Sequence, residues 1–167
     1  MVLYRARADK AGTMVDLRCF LVLRNVSGED FDRARVLLDY GEAFEQGIKH
    51  EDTKQMLFLK AAKVPITKVW TWDAIAMEGK WDPEKLNNKN VGVSVSYRIV
   101  NDSKSGLGNS ALWGGKARIF QDDGQESTIF LGEDVTGLVP DGEKTELYIG
   151  DSRDIGVTQR KMRDKRI

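Results

Sequence analysis

The sequence predicts a mainly β protein, an antiparallel β-sandwich of the immunoglobulin-like or a related kind with a few short helical turns. Three observations carry this. In Val91–Ile99 every odd-numbered residue is apolar and every even one is small or polar, which is the two-residue side-chain period of a strand with one buried face. Lys116–Gln121 and Ser127–Leu131 flank Asp122-Asp123-Gly124-Gln125-Glu126, where Gly124 can take the positive φ of a tight reversal, so the pair reads as a hairpin. Along the chain, roughly eight to ten short strand-like runs alternate with turn residues, the spacing of a sandwich or barrel.

The elements follow in order. Val2–Ala8 is a first strand closed by the turn residues Asp9-Lys10-Ala11-Gly12. Met14–Val26 sets Val15, Leu17, Cys19, Leu21 and Leu23 on one face, and Phe20 and Val22 make the other face apolar in mid-strand. A strand covered on part of its outer face has this pattern, so it is placed centrally. Ser27-Gly28-Glu29-Asp30 followed by Phe31, Ala34 and Leu38 has caps and helical spacing, while Ala34, Val36 and Leu38 also fit a strand; the local pattern favours the helix. Gln55–Ile66, with Pro65, and Thr67–Trp72 read as separate strands. Asp73–Met77 and Asp82–Leu86 read as single helical turns, the second opened by Pro83. Asn101–Gly115, rich in Gly, Ser and Asn, is a long connection, Pro140-Asp141-Gly142 a turn, and Thr145–Gly150 and Asp154–Lys161 the last strands.

At 167 residues the chain fits one domain with a core of its own. Its 26 basic and 26 acidic side chains cancel, so no global field recruits nucleic acid or an anionic membrane, and neither is expected as a partner. No apolar segment approaches the ~20 residues of a membrane span, and Met1-Val2-Leu3-Tyr4-Arg5 lacks the long apolar region of a signal peptide. The single cysteine, Cys19, has no partner for an internal disulfide and reads as a buried small hydrophobe.

Several stretches invite a chemical reading. Gly106-Leu107-Gly108-Asn109-Ser110-Ala111 fits a dinucleotide-binding pattern, but that mechanism needs a helix to begin there, and Gly114-Gly115 interrupts it. His50-Glu51-Asp52 contains the only histidine beside two carboxylates. Neighbours in sequence do not converge as a catalytic group does, and one His with one Cys is too few for structural zinc, so an exposed turn is expected. Residues 122–126 lack the alternate carboxylates of a calcium loop, and Glu133-Asp134 with Asp141 and Glu143 reads as loop solvation. Trp70, Trp72, Trp81 and Trp113 could stack on sugar or contact a partner, against the commoner role of tryptophan in packing. The basic end, Gln159–Arg166, reads as a solvated terminus. No cofactor, metal or catalytic residue is expected.

Ile99-Val100-Asn101, Leu107-Gly108, Gly115-Lys116-Ala117-Arg118-Ile119-Phe120, Phe130-Leu131-Gly132-Glu133-Asp134, Glu143-Lys144, Leu147-Tyr148-Ile149-Gly150 and Asp154-Ile155, in this order, resemble the C-terminal β-rich domain of unknown function of the mucoidy-inhibitor-like family of uncharacterised bacterial proteins. Leu23–Phe31 followed by Val36-Leu37-Leu38 is similar to that family's strand ending in Asn, turn and next strand. The resemblance covers Tyr4–Gly41 and Asn90–Lys161 and leaves Glu42–Lys89 unmatched, as an insertion within the single domain 1–167. It implies an antiparallel β-rich domain without established activity, in proteins often exported to the cell envelope. It also turns Arg33–Asp39 into a strand. Family members carry prolines where this chain has Ser110–Gly114, and they continue past Ile167, so the chain reads as a piece of a longer protein with an open last edge. The expected function is a non-enzymatic module for protein–protein contact or envelope assembly, with a protein partner or a second copy on an edge strand. A carbohydrate-binding module using surface Trp and a carboxylate-based hydrolase are the alternatives.

Overall fold

A computed structural model describes residues 1–37, 43–73, 92–108, 110–152 and 154–157. Among these residues 65% are strand and 2% helix, so the protein is mainly β. The strands are β1 (Val2–Ala8), β2 (Met14–Arg24), β3 (Phe31–Leu37), β4 (Ala43–Ile48), β5 (Thr53–Thr71), β6 (Val93–Val100), β7 (Gly115–Asp122), β8 (Thr128–Thr136) and β9 (Lys144–Ser152). Seven of them form one sheet in the order β8-β7-β1-β2-β5-β6-β9, and β3 and β4 form a hairpin sheet of their own.

The expected antiparallel sandwich is met in its β content only. β1 and β7 pair in parallel, and the seven-stranded sheet curls into a nearly closed, barrel-like mixed sheet. Its seam lies between β8 and β9, where side chains stand in for a ladder. Asp134 Oδ2 accepts the Tyr148 N–H at 2.8 Å, and the Thr136 and Thr145 hydroxyls lie 2.9 Å apart. Alternation reports which residues face inward; it carries no record of which strands are neighbours.

Inward positions follow the sequence. Tyr4, Ala6 and Ala8 of β1, Val15, Leu17 and Cys19 of β2, and Tyr97 and Ile99 of β6 are all at most 3% exposed. A void of about 10 Å³ lies among Tyr4, Leu17, Ile99, Ala117 and Leu147. Each aliphatic side chain so buried contributes about 1.5–3 kcal/mol of transfer free energy. The connection from β6 to β7 also helps fill the core, since Leu107 and Leu112 are buried. A short 3-10 turn at Ser103–Ser105, capped by Asp102, starts it.

Residues 53–71 form one strand rather than the two expected from Pro65. β5 pairs with β2 over its first part and with β6 from Ile66 onward. Between Ala61 and Val64 two residues stand opposite the single residue Asp16, a bulge of one extra residue, with Lys63 at φ 55°. The Lys63 N–H that the bulge leaves without a ladder partner donates to Asp16 Oδ1 at 2.9 Å. The bulge shifts the inward set from Ala61 to Val64 and Ile66, and such an insertion bends a strand and raises its twist. One strand can therefore serve two parts of the barrel. Segment 42–89, unmatched by the family resemblance, thus supplies β4 and the strand that joins the two halves of the sheet.

The remaining differences are local. Phe31–Leu37 is a strand, as the resemblance implies and against the helical reading of the local pattern. Partnership with β4 decides it, since an isolated segment with both periodicities takes the form its neighbour can pair with. Residues 154–157 are not strand; the rest of that expected strand, Trp81 and both expected helical turns beyond Asp73 lie outside the described residues.

Candidate functional site

Most of the chemically suggestive residues are absorbed by loop structure. His50 is exposed in the turn between β4 and β5, where its Nδ1 accepts the Gly28 N–H at 3.1 Å and its own N–H donates to Asp30 Oδ1 at 2.7 Å. Glu51 and Asp52 bond through their main chains to Asn25. Gly106 and Gly108 have φ of 77° and 74°, and a Cβ on Gly108 would lie 2.2 Å from the Asp102 carbonyl carbon. Those glycines are required by a tight loop packed on itself, with no helix opening toward a phosphate. In the 122–126 loop Asp123 Oδ1 accepts the N–H groups of Gln125 and Ser127. Glu133 pairs with Lys116 and Arg118, which hold its carboxyl below the usual range, Lys116 most. Cys19 is fully buried, and burial pushes its thiol up to about 12. Among the described residues no group of three or more His, Cys, Asp or Glu is placed to hold a metal ion.

The tryptophans do not form a row. Trp113 is half-buried against the core on the loop before β7, and its carbonyl accepts the Tyr4 hydroxyl at 2.6 Å. Trp72, just past β5, is half-buried. Trp70 is 47% exposed. It pairs with Val95, and Lys68 with Tyr97, so both stand on the inner side of the sheet at the barrel mouth. There they line a cleft of about 370 Å³ with Ile149, Asp151 and Asp154. The Lys68 ammonium lies 5.7 Å from the Trp70 ring centroid, and so competes for the face a sugar would use. Two-residue spacing on a strand was the signal for that pairing.

A second cleft, of about 430 Å³, gathers Arg7, Asp9, Asp16, Lys63 and Asp122. Each carboxylate there is already engaged. Asp122 pairs with Arg7, Asp16 holds the Lys63 amide, and Asp9 accepts the N–H groups of Thr13 and Met14 and the Thr13 hydroxyl. The Met14 amide above all holds the Asp9 carboxyl below its usual range. A general acid at neutral pH needs a shift in the other direction.

The hairpin β3–β4 has a different character. It stands outside the barrel sheet and neither strand has a second neighbour among the described residues. Its base is stapled by Asn25, whose Nδ2 donates to the carbonyls of Glu29 and Ile48, and at its other end Val36, paired with Phe44, packs back on the core. A bulge separates Phe31 from Ala34. Gly47 sits where a Cβ would come within 2.8 Å of the Asp32 carbonyl oxygen, so only glycine permits that approach. Phe31 is 41% and Leu37 66% exposed. β4 has no signal in the sequence because Ala43–Ile48 shows neither alternation nor a β-branched run.

Comparison of the chain with protein-family models, curated proteins and solved structures returns no match. No helix among the described residues is long and apolar enough to cross a membrane. What the fold defines is a β-rich, barrel-like module with a filled interior and an outlying hairpin.

Proposed function

We propose that the chain is a non-enzymatic β module for protein–protein contact, working through strand addition to the β3–β4 hairpin by a second copy or a protein partner. The observation that carries this is the hairpin itself, two strands in a sheet of their own, each with one edge unpaired among the described residues and with Phe31 and Leu37 exposed. Such an edge offers a row of backbone donors and acceptors to another chain. Support for an envelope assembly rests on the family resemblance alone.

Light scattering across a concentration series tests the reading. A reversible dimer is expected, with Phe31→Lys and Leu37→Lys shifting it to monomer while the melting temperature is kept, because both side chains are exposed. A strict monomer at high concentration, or a dimer indifferent to both variants, overturns it.

A further inference from the structure

The outer face of the barrel sheet carries two parallel stripes that no single strand reveals. Arg118 of β7 pairs with Arg5 of β1, Arg5 with Arg18 of β2, and Arg18 with Lys60 of β5. Four cations therefore stand side by side across four adjacent strands, all on exposed residues. One row away, Val135, Lys116, Leu3, Phe20 and Leu57 are likewise in register. Within this second stripe Val135 is 72% and Leu57 46% exposed.

Like charges directly opposite one another on a sheet destabilise it, and elsewhere this sheet avoids them. Arg98 faces Glu146, Arg7 faces Asp16, and Arg118 at the end of the row faces Glu133. Arg5 lies over the Phe120 ring at 5.1 Å, while Arg18 and Lys60 have no hydrogen-bond or carboxylate partner among the described residues. Arg118 is met by Glu133 at 2.9 Å, but the Arg18 and Lys60 end of the row is uncompensated among the described residues, so its complement is an anionic group from outside.

The geometry selects the form of that group. Strands lie about 4.8 Å apart, so four cations span about 14 Å, and the stripes are separated by two residues, about 6.8 Å. A helix has a 5.4 Å pitch and can set an acidic stripe beside an apolar one on neighbouring faces; an extended peptide turns only one set of side chains toward a surface. We infer that this face docks an acidic amphipathic helix of a partner protein, its carboxylates on Arg5, Arg18 and Lys60 and its apolar stripe on Leu3, Phe20 and Leu57. The neutral charge of the whole chain disfavours nucleic acid, whose affinity depends on many phosphate contacts at once. This inference rests on the reading of the chain as a protein-contact module, but it uses a face separate from the hairpin, so the two tests fail independently.

The test uses a fluorescent synthetic helix of about fourteen residues, long enough to cover the row, with adjacent Glu and Leu stripes. Its rivals are the same composition scrambled and a labelled oligothymidylate. Binding is read by anisotropy at low and high salt. The striped helix is expected to bind best and to weaken with salt. Arg18→Glu combined with Lys60→Glu is expected to cut its affinity about tenfold or more. Lys49→Glu combined with Lys104→Glu, equal in net charge and off the row, is expected to leave it unchanged. Equal affinity in both double variants, equal binding of the scrambled peptide, or tighter oligothymidylate binding through Arg18 and Lys60 overturns the inference.

Discussion

Asn25 and Asn101 hold the same position on different strands: each is the first residue past the end of one, β2 and β6, and each spans two loops with its side-chain amide. Asn101 is the deeper, fully buried, and its Nδ2 donates to the carbonyls of Ser110, Val139 and Pro140 at 3.0, 3.0 and 3.1 Å while Oδ1 accepts the Gly108 N–H at 2.9 Å. Two hydrogens serve three carbonyls, so one bond is shared. Asn25 does the same for the base of the hairpin, with Ser27 N–H on its Oδ1.

Asn101→Ala is therefore expected to cost about 3 kcal/mol, because it strands buried carbonyls and an N–H. Asn25→Ala is expected to cost about 1 kcal/mol, since the exposed Glu29 carbonyl can turn to water. Urea denaturation of both variants measures the difference, and equal costs would remove the ranking by depth.

Tyr97 lies on the inner face with Val95 and Ile99 and is 2% exposed, so Tyr97→Ala is expected to cost about 3–5 kcal/mol. Ser96→Ala, on the other face, is expected to be near neutral. The Tyr97 hydroxyl has no hydrogen-bond partner among the described residues, so Tyr97→Phe is expected to be at least as stable as the native chain. Gly12, at φ 69°, has room for a Cβ only 3.0 Å from that hydroxyl; Gly12→Ala is expected to cost about 1–2 kcal/mol from the backbone alone. Part of its cost disappears in combination with Tyr97→Phe. Strict additivity in denaturation would show that the two residues do not touch.

At the β5 bulge, Lys63 is a non-glycine residue at φ 55°. Lys63→Gly is expected to raise stability by up to about 1 kcal/mol by relieving the left-handed backbone. Asp16→Ala is expected to lower it by about 1–2 kcal/mol, because the Lys63 amide loses its acceptor. Thermal melts of the two variants moving in the same direction would falsify this account of the corner.

Asp9 ties the β1–β2 turn as an anion, held below its usual range mainly by the Met14 amide. A carboxyl lowered in the folded state contributes stability that is present above its unfolded value and lost as pH falls. The stability gap between the native chain and Asp9→Asn is thus expected to be steady above pH ~5 and to shrink as pH falls through ~4. Denaturation midpoints from neutral pH downward check this; a gap independent of pH assigns the turn's stability to geometry alone.

Local residue pattern suffices for the strands with one buried face. Val93–Val100 and Met14–Arg24 need a two-residue period to bury Tyr97, Ile99, Leu17 and Cys19, and that period is written in the residues. Local pattern also suffices for the Gly124 and Gly142 turns, because φ of 81° at both positions favours glycine. What depends on neighbours is set by pairing between distant segments. The parallel pairing of β1 with β7, the unbroken β5, the strand form of β3 and the charge row from Arg118 to Lys60 each join residues far apart in the chain. Hydrogen-bond register fixes such relations across strands, and no local pattern along one strand encodes which strand will lie beside it.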